Sequence, residues 1–113
     1  MLEENSAVSL VFYGPKNVLE ELHLALGGKV HERGHWSMRW KIGEDATPEA
    51  VIARAAHFLA SNVSKLVGPA SSCDVAFIFS WTPHDFQDSV AFESALVNNL
   101  GKLSATIVVD TYS

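Results

Sequence analysis

From residue 35 to residue 42 the chain alternates without a break. Trp36, Met38, Trp40 and Ile42 fall on one side of an extended segment, and His35, Ser37, Arg39 and Lys41 on the other. The same period of two sets Val8, Leu10 and Phe12 against Ala7, Ser9, Val11 and Tyr13. It also sets Cys73, Val75, Phe77, Phe79 and Trp81 against Asp74, Ala76, Ile78 and Ser80. Strands are therefore predicted over 7–13, 35–42 and 73–81, with a last one over the β-branched run 104–112. Between them the period becomes helical. Val18, Leu19, Leu22, Ala25 and Leu26 predict a helix over about 17–26, opened by Asn17 and Glu20 as a capping pair and stopped by Gly27-Gly28. Thr47-Pro48-Glu49 starts a second helix running to about residue 67, with Ile52, Ala55, Leu59, Val63 and Leu66 on its buried side, closed by Gly68-Pro69. A polar loop, TPHDFQDS at 82–89, precedes a third helix over about 90–100, stopped by Gly101.

The element order is thus βαβ, then α, then βαβ. It predicts an α+β domain: a two-layer sandwich of four strands, with helices on one face and the other face open, as in ferredoxin-like folds. SLVF at 9–12 matches AFIF at 76–79, and LHLALG at 22–27 matches LVNNLG at 96–101, which suggests an internal duplication of about 7–43 and 73–112.

Length and composition narrow the classes. A chain of 113 residues, 48% hydrophobic and 19% charged, fits one globular domain, 1–113, with a core that needs no metal or disulfide. The lone Cys73 sits in an apolar run and reads as a structural thiol of a reducing compartment. MLEENSAVSL lacks the basic start of a secretory signal, and no apolar run approaches the ~20 residues of a membrane span, so a cytoplasmic location is expected. Thirteen acids against eight bases give a formal charge of −5, which disfavours nucleic acid and suits a basic protein partner.

One motif tests catalysis directly. HERGHW at 31–36 matches the zinc-protease pattern H-E-x-x-H, whose chemistry requires a helix to stack both histidines on one metal. Here a helix has just stopped at Gly27-Gly28, Gly34 lies within the motif and the period of two begins at His35. The stretch reads as a turn, so no zinc site is assigned. His23, His31, His35 and His57 share no ligand spacing, and His84, Asp85 and Asp88 read as a solvated loop able to meet a partner. No nucleophile elbow, P-loop or dinucleotide fingerprint occurs. A binding face remains: His35, Arg39 and Lys41 beside Ser9, Tyr13, Ser80, Asp74, Thr106 and Asp110, mixed with Val11, Ile78 and Val108.

SLVFYG, the helix ending LALGGKV, the step GHW at 34–36, the long second helix and the close LGKLSATIVVDTY resemble the bacterial group catalogued as domain-of-unknown-function family 4279. That family supplies no catalytic residues to carry over. The chain is also similar, as a class, to immunity proteins of contact-dependent growth inhibition and other polymorphic toxin systems. The resemblance implies a non-enzymatic protein without cofactor or metal that binds and neutralises a cognate toxin domain. Its expected contacts are His35, Arg39, Lys41, Trp81, His84, Asp85 and Asp88. The alternative is a small-molecule-binding or regulatory domain using the open sheet face; a metal-dependent enzyme using His35 or His84 is the third.

Overall fold

The computed structural model describes residues 6–42, 47–81 and 91–111, with Trp81 and Thr111 described in their backbone alone. Among the described residues eight elements follow one another: β1 (Ala7–Tyr13), α1 (Lys16–Leu26), β2 (Lys29–His31), β3 (His35–Lys41), α2 (Pro48–Ala70), β4 (Asp74–Trp81), α3 (Ser94–Lys102) and β5 (Thr106–Thr111). The strands form one mixed sheet in the order β2-β3-β1-β4-β5. Neighbours are antiparallel except β4 and β5, which run parallel with α3 between them.

The α+β character stands, but the four-stranded expectation is corrected to five, and βαβ-α-βαβ becomes βαββαβαβ. The added strand, β2, is three residues long, too short for its alternation to be visible without its partner β3. The two segments matched in the duplication reading are connected differently. β1 lies antiparallel against β3, whereas β4 lies parallel to β5.

One core joins the layers. Val8, Leu10 and Phe12 from β1, Trp36 from β3, and Val75, Phe77 and Phe79 from β4 are buried against Leu19 and Leu22 of α1 and Val51, Ile52, Ala55, Leu59 and Leu66 of α2. Leu96 and Leu100 of α3 join them, with Ile42 after β3 and Leu103 after α3. Each such aliphatic or phenyl side chain withdrawn from water contributes about 1.5–3 kcal/mol before entropy is counted, so the packed face of the sheet defines the fold. Trp36 ties its parts together: fully buried, it meets Phe12 edge-on with ring centres 5.5 Å apart, and its indole N–H donates to the Gly27 carbonyl at 2.8 Å. Gly28 must be glycine here. Its φ is +77°, and an added Cβ would stand 2.7 Å from both the Ser37 carbonyl oxygen and the Trp36 indole nitrogen.

The helix boundaries shift for local reasons. α1 begins one residue early with Pro15 at the N-cap, whose carbonyl receives the Val18 and Leu19 amides, so the Asn17–Glu20 capping pair does not form. Thr47 does cap α2, its hydroxyl accepting from the Ala50 amide at 3.2 Å. α2 runs through Gly68 and Pro69 to Ala70, because a proline in the last turn forfeits one ladder bond without breaking what precedes it. α3 starts at Ser94 and includes Gly101, and β5 begins at Thr106 after Ser104 takes a positive φ of 53°. Among the described residues no helix is long and apolar enough to cross a membrane.

Candidate functional site

The face of the sheet opposite the helices is where the odd residues of β1 and β3 and the even residues of β4 and β5 collect. Register sorts them into rows across the strands. His31, His35, Tyr13 and Asp74 form one; Lys29, Ser37, Val11, Ala76 and Thr106 the next; then Arg39, Ser9, Ile78 and Val108; and last Lys41, Ala7, Ser80 and Asp110. Charge is not spread evenly over these rows. Lys29, Arg39, Lys41 and both imidazoles lie on β2 and β3, and the carboxylates of Asp74 and Asp110 lie on β4 and β5.

A shallow concavity of about 700 Å³ occupies the cationic half, floored by Ala7, Val11 and Ile78. Lys29, His31, His35 and Arg39 stand around it with the hydroxyls of Ser9, Tyr13, Ser37 and Ser80, and its lining contains no carboxylate among the described residues. Every fixed charge there is positive in a chain whose formal charge is −5. The basic partner that the net charge suits is therefore not matched by this concavity, although Asp74 and Asp110 stand elsewhere on the same face. Glu3, Glu4, Glu44, Asp45, Asp85 and Asp88 lie outside the described residues.

HERGHW builds the corner of this site as strand, turn and strand. Glu32, Arg33 and Gly34 form a three-residue hairpin loop, closed by the Gly34 amide on the His31 carbonyl at 3.0 Å. Gly34 takes φ +91°, the left-handed position that ends such a loop. His31 and His35 consequently face each other across two strands, ring centres 4.1 Å apart and planes 17° from parallel. His31 Nε2 shares a hydrogen bond with Ser37 Oγ at 2.9 Å, and the Tyr13 ring lies 5.4 Å from that of His35. Partial burial holds the His31 pKa below its ordinary value, helped by the neighbouring His35 and Lys29. Among the described residues no three His, Cys, Asp or Glu side chains group as metal ligands do.

Of the expected contact residues, His35, Arg39 and Lys41 share the open face of β3. The Trp81 backbone ends β4 opposite Thr111, while His84, Asp85 and Asp88 lie outside the described residues. His31 and Lys29 join the site although the alternation begins only at His35. Cys73 lies just before β4 with its sulfur against Gly14, which leaves no room there for a Cβ. Burial, and secondarily the Asp74 carboxylate, push its thiol pKa up, which suppresses the reactive thiolate. His23 is exposed in the last turn of α1, where its Nδ1 donates to the Gly28 carbonyl at 3.0 Å, a pairing that places the proton on that nitrogen because a carbonyl only accepts.

Comparison of the chain with protein-family models, with curated proteins and with solved structures finds no match.

Proposed function

We propose that this chain is a binding protein that captures a partner protein on the uncovered face of its sheet. In the form suggested by its likeness to immunity proteins, it blocks a bacterial toxin module without itself catalysing a reaction. The observation that carries the reading is the concavity of about 700 Å³ in that face, with an apolar floor and a rim of cations, imidazoles and hydroxyls. Mixed apolar and hydrogen-bonding surface of this kind is what protein interfaces use. Its charge makes the expected contact on the partner a carboxylate-bearing one, whatever the partner's net charge. The first four strands are read as a ferredoxin-like βαββαβ core, extended by α3 and β5.

The test is titration of the purified chain with the toxin module encoded beside its gene, followed by calorimetry and by protection of cells expressing that module. A stoichiometric complex that weakens at least about tenfold in a Lys29→Glu, Lys41→Glu double variant supports the reading. Absence of both complex and protection removes it, and a tight complex indifferent to the double variant moves the interface off this face.

A second reading is favoured by the same lining, whose fixed charges are Lys29 and Arg39: a regulatory domain holding a small acidic molecule. The volume falls within the ~300–1,000 Å³ of ordinary ligand sites. A thermal-shift screen of carboxylates and phosphates distinguishes it, since a ligand at 100 times its dissociation constant adds about 2.7 kcal/mol of stability.

A further inference from the structure

β5 closes one end of the sheet, and among the described residues it is paired on one side only, to β4. Its central side chains are also apolar and exposed. Ile107 and Val109, on the helix side, are 38% and 56% exposed, and Val108, on the opposite side, is 38% exposed. The helix before it gives little cover, because α3 packs chiefly on α2. The strand contains no proline and no lysine, two of the devices that keep such an edge from pairing, and its single charge, Asp110, lies toward its end.

We propose that β5 is a self-pairing edge: it joins the β5 of a second copy of this chain, antiparallel and centred on Val108, to make one continuous sheet. This inference is independent of what the open face captures. The centre follows from symmetry and side-chain matching. A two-fold axis perpendicular to the sheet keeps the helix layers of both copies on one side, so residues opposite each other must have the same parity. Centring on Val108 sets Ile107 against Val109 twice, covering the apolar overhang, and sets Asp110 against Thr106, a carboxylate facing a hydroxyl. Centring on Val109 would instead put Asp110 beside Val108 and leave Ile107 against Thr111. In the Val108-centred register no like charges oppose each other across the seam. A single strand pair is small beside the ~1,600 Å² of a standard interface, so association is concentration-dependent.

Two measurements decide it. Sedimentation equilibrium of the unmodified chain should show a monomer–dimer equilibrium that Val109→Lys abolishes while the circular dichroism spectrum is retained; a chain that stays monomeric at about 1 mM overturns the proposal. The register is read by cysteine trapping in a Cys73→Ser background. Residues directly opposite have Cα atoms about 4.5–5.5 Å apart, within disulfide reach. Under mild oxidation Val108→Cys should give a covalent dimer at least about tenfold faster than Val109→Cys, whose self-distance in this register is two strand positions. Equal trapping at both positions, or faster trapping at 109, overturns the Val108-centred pairing.

Discussion

Lys29–His31 and Thr106–Thr111 close the two ends of one sheet, and the chain treats them in different ways. The β2 end is three residues long, carries a lysine and a histidine, and is held from behind by Trp36, Gly27 and Gly28. The β5 end has six residues, three of them consecutive aliphatic β-branched side chains, and its helix-side residues remain open to water. Short charged edges discourage strand addition and long apolar ones invite it. On the reading proposed above, the β2 end holds the site, since its side chains form the cationic corner, and the β5 end is left to meet another strand.

The largest way to break this contrast is at Gly28. Gly28→Ala should cost about 2–3 kcal/mol, read by urea unfolding, because it combines a positive φ with a clash against Ser37 and Trp36. Trp36→Phe comes next, at about 2 kcal/mol: the ring remains largely filled, but the part-buried Gly27 carbonyl loses its donor. On the other edge, Val109→Lys should change the unfolding free energy of dilute monomer by no more than about 0.5 kcal/mol, since its side chain is already more than half exposed. A large loss there would mean that β5 is packed as firmly as β2.

The smallest effect is a pH slope. His31 has a lowered pKa in the folded chain, so the unfolded chain binds the proton more readily. The His31 contribution is present above the ordinary imidazole range and is lost as pH falls through the lowered value. Stability should therefore decline modestly between neutral and mildly acid pH, and His31→Asn should flatten the slope. An unchanged slope in that variant would remove the stacked imidazoles as its origin.

Much of the fold was legible because burial imposes a period. Trp36 and Phe12, Phe77 and Leu59 each fall on the face that their spacing predicts. β2 was hidden because three residues cannot establish a period, and their pairing is fixed by a neighbour and by a loop whose signal is one glycine, Gly34, before His35. The site was half legible for the same reason. His35, Arg39 and Lys41 follow from alternation, whereas Lys29 and His31 enter through the hairpin. The charge of the face was not legible from a total of −5, since net charge says nothing of where the cations gather.

The hydrogen bond from the Trp36 indole to Gly27 has a kinetic meaning as well. That proton exchanges with deuterated solvent only when the indole parts from the Gly27 carbonyl and water reaches it, so its exchange rate is a clock for the parting of α1 from β3. If the corner opens on its own, the clock runs faster than global unfolding; if it opens only with the core, the two rates coincide. A ligand seated against Lys29 and His31 would slow it from a distance, making one side-chain proton a reporter of occupancy on the opposite face of the sheet.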